Sequence, residues 1–507
     1  MFGKVLSSAI TGIDGKEVIV EADYSEGLPA FDMVGFLGAE VKEARERVRS
    51  ALKNSGIFLP PGRLTVNLSP ADLRKQGNSF DLPIAVSIMI AAGIIPQDFA
   101  DDYLFFGELA LDGRIRGVNG TLSHVILAKT MKLKACILPE ENEKEASLLS
   151  GIELYSFSRL SDVIAFLLKQ LEKEPVRPNT AATVRNSHIL DFSDILGQES
   201  VKRAAEIASS GMHGLLLIGP PGTGKTLTAR RIPTILPPLT EAEKLESSRI
   251  YSVAGMLDAE TGLLNERPFR SPHHTISATA LVGGGLSPRP GEMSLAHNGV
   301  LFLDELPEFS KSALEVMRQP LEDKRVVISR VNGTSTFPTR VMLVCAMNPC
   351  RCGYYPDRSR CRCTDAEVRR YLSRISKPLL DRIDLSIEVS RLSYDDLKTK
   401  ASGESSETIR KRVIRCWEIQ KERYKNEDII FNSQLEGRQI RKYCEIGKDE
   451  QALLKEVFEK MGLSARAHDR ILKVARTIAD LQEEASITVP QLAEAISYRQ
   501  TDRQFFS

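Results

Sequence analysis

The chain has 507 residues, room for several domains, with 68 Lys+Arg against 67 Asp+Glu and a formal charge of +1. That balance argues against bulk electrostatic adhesion to nucleic acid and leaves only local basic patches as candidates. Met1 to Ser8 lacks a signal-peptide pattern, and the longest apolar run, Ile84 to Ile95, is too short to cross a bilayer, so a soluble cytoplasmic protein without membrane contact is expected, its eight cysteines reduced or metal-bound.

In chain order, residues 1–172 mix short β-like runs (Val18 to Ala22, Leu64 to Leu68, Ala135 to Pro139) with amphipathic helices (Ala39 to Ser55, Asp81 to Ala92). Gly77-Asn78-Ser79-Phe80-Asp81-Leu82, Gly107 to Ile115 and Ile137 to Asn142 resemble the Lon peptidase domain, which implies an α+β fold and raises a protease hypothesis. A Ser–Lys dyad needs a lysine to take the serine proton. Ser79 falls near the nucleophile position, but Leu122 stands where the lysine belongs, and His124 is two positions away. A non-proteolytic Lon-like domain is the expectation, with roles in ring assembly or partner contact. Residues 173–189, opening with the polar, Pro-punctuated Glu172 to Thr180, read as a linker.

The block 190–390 alternates strands and helices and predicts a parallel α/β sheet. Gly219-Pro220-Pro221-Gly222-Thr223-Gly224-Lys225-Thr226 matches the phosphate-loop pattern at every required position. Apolar Leu215 to Ile218 before it read as a buried strand, and Thr226 to Arg231 after it as the first turns of a helix. Backbone N–H groups of such a loop close around phosphates, and the helix N-terminus adds partial positive charge. Lys225 is then the β/γ-phosphate contact of ATP and Thr226 Oγ a Mg²⁺ ligand. Gly299 to Glu305 is an apolar strand ending in two carboxylates. Asp304 is the candidate for the Mg²⁺ shell, and Glu305 for polarising the attacking water.

Lys324 to Thr334 reads as a hairpin turning at Asn332-Gly333 between β-branched runs. Arg267 to His274 is a basic, aromatic loop better suited to substrate or inter-subunit contact than to metal. Cys350-x-Cys352 and Cys361-x-Cys363 bracket a polar segment directly after an apolar strand, Val341 to Asn348. The four thiols are either a structural tetrahedral Zn²⁺ site or reduced thiols in a basic loop. Residues 391–507 are helical and charged, with a polar break at Ala401 to Glu407 and a basic helix from Arg410 past Trp417 that presents either a solvated face or a phosphate contact.

Taken together, Arg267 to Thr275, Gly291 to Gly299, Met347-Asn348-Pro349-Cys350 and Leu463-Ser464-Ala465-Arg466-Ala467 make the whole chain resemble the YifB/ComM family of magnesium-chelatase-like AAA+ ATPases. The resemblance implies a Lon-like N-terminal domain, an AAA+ parallel-sheet core and a helical C-terminal lid. It implies sensor 1 at Asn348, an arginine finger at Arg382 acting on a neighbouring subunit, sensor 2 at Arg466 on the γ-phosphate, and an adenine pocket near Asp194 to Gln198. It also implies a hexameric ring and, as in the family's best-known members, DNA branch migration in natural transformation, with Lys324, Arg325 and Arg330 of the hairpin as candidate DNA-strand contacts or, equally, a hairpin that only packs on its neighbour. A chelatase-type motor remodelling a protein partner, and an ATP-dependent Lon-like protease, are the alternatives.

Overall fold

The computed structural model describes residues 1–179, 190–258, 260, 262–285, 287–330, 333–391 and 403–506. The later part of the expected linker, the hairpin tip at Val331 and Asn332, and Ala401 and Ser402 of the polar break lie outside the described residues.

The N-terminal domain is built on a seven-stranded sheet in the order Ala30–Val34, Arg63–Ser69, Asp14–Ser25, Phe2–Thr11, Tyr103–Phe105, Ala135–Pro139, Glu153–Phe157. Phe2–Thr11 and Asp14–Ser25 form a long antiparallel hairpin, and from Phe2–Thr11 onward the strands run parallel. Only the middle of that hairpin, Val18 to Ala22, is visible as β-pattern in the sequence. Helix Ala39–Asn54 buries Val41, Ala44, Val48, Ala51 and Leu52, the stripe expected of 3.6-residue periodicity. Every residue of helix Asp81–Ala91 is buried, so it is not the amphipathic helix expected there: its unbroken apolar run belongs to a domain core and leaves no solvent face. Its one charge, Asp81, is held bidentately by Arg47 at 2.6 and 2.9 Å.

The central sheet has five parallel strands in the order Phe269–Arg270, Val300–Leu303, Met342–Met347, Leu215–Ile218, Leu385–Glu388. All residues of Leu215–Ile218, Val300–Leu303 and Met342–Met347 are buried, as strands covered on both faces require. Helices Ser406–Arg423, Lys448–Met461, Ala465–Leu481 and Val489–Phe506 form the lid, which shares one apolar core with the sheet: Ile409, Val413, Val474 and Ile478 cluster with Ala204, Ala208 and Leu215. The basic helix Ser406–Arg423 faces inward through Trp417, whose Nε1–H donates to the Ser209 carbonyl at 3.0 Å. Arg412 pairs with Glu206 and Glu404, and Arg423 with Asp480, so much of its positive charge is already neutralised within the chain.

A buried polar chain ties core to lid. His213 Nδ1 lies 2.8 Å from Asp384 Oδ2 and its Nε2 lies 2.7 Å from Thr477 Oγ1. Burial alone would raise the Asp384 pKa, but the hydrogen bond and charge of His213 outweigh it and hold the carboxyl well below its usual range. His213→Ala leaves that carboxylate short of its partner and should destabilise the core-plus-lid unit by about 3 kcal/mol, measured as a lower midpoint in calorimetric unfolding.

Candidate nucleotide site

The phosphate loop leaves the C-terminal end of strand Leu215–Ile218 and runs into helix Lys225–Ile235. Gly222 and Gly224 have φ of +77° and +87°, left-handed backbone that glycine supplies without strain, and a side chain added at either would meet open space. Lys225 is buried, and its ammonium donates to the carbonyls of Gly219 (2.7 Å) and Pro220 (2.8 Å) and to Asn348 Oδ1 (3.2 Å). Burial lowers its pKa and nearby Asp304 opposes that shift. Thr226 Oγ1 donates to Asp304 Oδ2 at 2.7 Å. A hydroxyl and a carboxylate meeting beside a helix N-terminus, with a lysine next to them, form a donor set that fits a nucleotide phosphate chain and its Mg²⁺. Thus Lys225, Thr226, Asp304 and Asn348, up to 123 positions apart in sequence, converge at one edge of the sheet.

Glu305 adopts left-handed backbone, φ +54°, directly after Asp304 and is exposed. Its Oε2 lies 3.2 Å from His274 Nδ1. His274 is a functional candidate whose role the sequence did not specify. Strand Phe269–Arg270 runs parallel to Val300–Leu303 with Phe269 opposite Val300, so the loop just beyond Arg270 lands beside Asp304 and Glu305. No local pattern encodes that juxtaposition. The cations of the same loop are engaged internally: buried Arg267 donates to the Pro237 and Asn298 carbonyls at 2.6 Å each, and Arg270 grips Glu292 with two bonds of 2.7 Å.

Arg382 and Arg466 lie elsewhere. Asp384 and Leu385 donate from their amides to the Gly214 carbonyl, which puts Arg382 at the N-terminal end of the strand whose other end carries the phosphate loop. The four residues of Leu215–Ile218 and their flanks separate the two ends by roughly 15 Å. Arg382 pairs with Glu322 and donates to the Pro378 carbonyl, while Arg466, largely exposed, reaches Asp381 at 3.3 Å. Both arginines line one surface cavity of about 530 Å³ together with Asp381, Arg470 and Lys473.

The cysteines do converge. Cys350, Cys352, Cys361 and Cys363 place their sulfurs within 4.8 Å of one another, and none is in a disulfide. Burial would raise the Cys352 pKa, but bonds from the Tyr354 amide, the Cys350 thiol and the Arg362 amide outweigh it and bring it down to about 6.

In the N-terminal domain a cavity of about 540 Å³ lies against the central domain, lined by Ser79, Asp72, Glu108 and His124 on one side and Arg330 on the other. No lysine lines it among the described residues. Leu122 is fully buried. Burial holds the His124 pKa down at about 3, its Nδ1 lies 2.5 Å from Ser8 Oγ, and its Nε2 has no hydrogen-bond partner among the described residues. Ser79 thus has neither the lysine nor a basic imidazole of the dyad. The hairpin Arg325–Arg330/Gly333–Pro338 joins the two domains: Val326, Ile328 and Phe337 cluster with Ile13 of the N-terminal domain and with Ile250 and Leu295 of the central one. Lys324 Nζ donates to the Leu321 carbonyl at 2.7 Å, whereas Arg325 and Arg330 stay exposed.

Three family models cover most of the chain: "Magnesium chelatase, subunit ChlI" matches residues 191–397, "Subunit ChlI of Mg-chelatase" residues 20–142, and "Magnesium chelatase, subunit ChlI C-terminal" residues 403–499. "Competence protein ComM" of Haemophilus influenzae is 44% identical over 502 residues, 98% of this chain and 97% of the relative. The chain belongs to the YifB/ComM family of magnesium-chelatase-like AAA+ ATPases. Its "Uncharacterized protein YifB" member from Escherichia coli is likewise 44% identical, over 500 residues, 98% of this chain and 97% of that one. "Lon protease 2" of Bacillus subtilis is 30% identical over 214 residues, 40% of this chain and 34% of that protease, in keeping with the partial Lon-like character. No helix among the described residues is long and apolar enough to cross a membrane.

For this YifB/ComM chain, Lys225→Ala should weaken binding of a fluorescent ATP analogue at least tenfold in an equilibrium titration, since it removes the ammonium held at the loop. His274→Ala should leave that affinity within about twofold, because the imidazole touches Glu305 and not the loop.

Proposed function

We propose that the protein is a ring-forming cytoplasmic ATPase, a hexamer in which ATP hydrolysis drives DNA remodelling by strand or branch movement. The observation that carries the ring is the separation of the binding residues at one end of strand Leu215–Ile218 from Arg382 and Arg466 at the other. A single chain holds two incomplete halves, and stacking chains head to tail brings one subunit's arginines to the next subunit's phosphate loop. In that assembly Lys225 and the loop amides hold the phosphates, Thr226 and Asp304 hold Mg²⁺, Asn348 and Glu305 orient and polarise the water, and Arg382 with Arg466 offset charge developing on the γ-phosphate. Mg²⁺ supplies charge neutralisation of the phosphate chain.

DNA as the load is supported by the exposed Arg325 and Arg330 on the hairpin and by the printed name of the competence relative. The chelatase-type alternative, a motor acting on a protein partner, is favoured by the family descriptions. The protease alternative is disfavoured by the lysine-free cavity around Ser79. We further propose that Cys350, Cys352, Cys361 and Cys363 hold a structural Zn²⁺, which suits four converging thiolates.

The ATPase rate of the full chain should rise several-fold on adding single-stranded or branched DNA, and Arg330→Ala or added salt should reduce that rise. No response to any DNA, together with a stable protein partner, would move the assignment to the chelatase type. Arg382→Ala should keep nucleotide affinity while hydrolysis falls by a factor on the order of a thousand, and mixing it with Lys225→Ala chains should restore part of the activity. If the mixture stays dead, the shared site is wrong.

A further inference from the structure

The tetracysteine loop does not stand apart from the nucleotide site. It begins two residues after Asn348, at the end of strand Met342–Met347, and it returns to helix Asp365–Leu372, whose start is closed by reciprocal bonds between Thr364 and Glu367. The phosphate loop is tied to the strand that feeds the tetracysteine loop and rests directly on that loop at Gly353. The Gly219 amide donates to the Met347 carbonyl at 3.2 Å, just ahead of Cys350. Gly353, next to Cys352, is pressed so close to Pro221 that a Cβ added there would lie 2.5 Å from the proline Cδ. The adjoining Tyr354 lies under the Arg391 guanidinium at 4.8 Å and accepts a 3.0 Å bond from it. The Ser390 carbonyl next door accepts from Gln198 Nε2, which also holds the Thr223 carbonyl of the phosphate loop at 2.8 Å.

We infer that a zinc ion held by Cys350, Cys352, Cys361 and Cys363 braces the phosphate loop from outside, so that metal occupancy and nucleotide affinity are thermodynamically coupled. This rests on the zinc reading above. The geometry suits that metal. A tetrahedral Zn²⁺ with Zn–S bonds near 2.3 Å separates its sulfurs by about 3.8 Å. The sulfurs here stand at 3.3 Å (Cys350 to Cys352), 3.5 Å (Cys352 to Cys361) and 3.8 Å (Cys350 to Cys361). The surroundings orient the ligands: the Tyr355 amide lies 3.4 Å from Cys350 Sγ, and Arg358 holds the Cys363 carbonyl at 2.8 Å. Four thiolates leave no open position, so the role is mechanical. Loss of the metal removes the tie between the two C-x-C pairs, and with it the fixed backing of Pro221. Pro220 and Pro221 stiffen the phosphate loop from within, and the metal-held Gly353 turn stiffens it from without. A loop held in its binding conformation before the ligand arrives loses less entropy on binding.

Coupling of this kind is reciprocal: whatever the metal does for nucleotide affinity, nucleotide must do for metal affinity. The test uses the full-length wild-type protein. Zinc content is measured first by a chromogenic chelator, and about one zinc per chain is expected; a metal-free protein that does not take up added Zn²⁺ sinks the metal reading itself. Zinc affinity is then measured by competition with a chelator, with and without saturating non-hydrolysable ATP analogue. The analogue should tighten zinc binding fivefold or more, and the same analogue should leave it unchanged in Lys225→Ala. Zinc present at full stoichiometry but held equally with and without nucleotide overturns the brace and leaves the metal site standing. As a second arm, Gly353→Ala, which alters no ligand, should keep its zinc and lose at least tenfold in nucleotide affinity. Unchanged affinity in that variant also overturns the inference.

Discussion

The position of strand Leu215–Ile218 inside a parallel sheet, with a parallel neighbour on each side, is the constraint on which the remaining site geometry depends. It is hydrogen-bonded on both sides, to Met342–Met347 and to Leu385–Glu388, and all its residues are buried. Parallel strands end together. The loop after Ile218, the carboxylates after Leu303 and the amide of Asn348 after Met347 therefore emerge at one edge, where Lys225, Asp304 and Asn348 can meet. The same rule sends the segment entering the next strand, with Arg382, to the opposite edge. The two edges are thus separated by the length of the strand, which is the ground for the proposed sharing of a site between chains.

The lid is attached to that second edge by buried polar contacts. Arg470 donates to the carbonyls of Leu380 and Ile383 and to Asp381, and Arg499 to the Ile383 carbonyl, so lid helices hold the backbone that carries Arg382. The His213, Asp384 and Thr477 chain continues through Asn432 to Asp480, where Arg423 and Arg476 close it. A network in which most donors have acceptors admits few alternative arrangements, because any shift leaves a buried polar group unmatched.

The N-terminal domain has a cavity with Ser79 in its wall. Leu122 is buried and the nearby His124 imidazole is bonded to Ser8. The hairpin of the ATPase core packs beside that cavity through Val326, Ile328 and Phe337. Arg249 reinforces the junction by donating to the Ile13 carbonyl at 2.7 Å and to Asp14 at 2.6 Å. The fold has the features of a platform for the hairpin, with Arg330 facing the cavity.

The sequence alone specified the pieces whose chemistry is local. The phosphate loop was legible because its glycines, lysine and threonine must stand at fixed spacing between a strand and a helix, and the strand limits Leu215 to Ile218 and Ala135 to Pro139 agree with the observed ones. The helix over Asp81–Ala91 was legible from composition. Strand Phe2–Thr11 was not, since its alternation is broken at Ser7 and Ser8, which are buried despite being polar. Tertiary structure decided which distant groups meet. It set His274 on Glu305, locked Arg267 and Arg270 into internal bonds, laid the hairpin against the N-terminal domain and pressed Gly353 onto Pro221. Each of these follows from strand order and from which edge a loop leaves, and hydrogen bonding between strands far apart in sequence is invisible to any pattern read along a single stretch of chain.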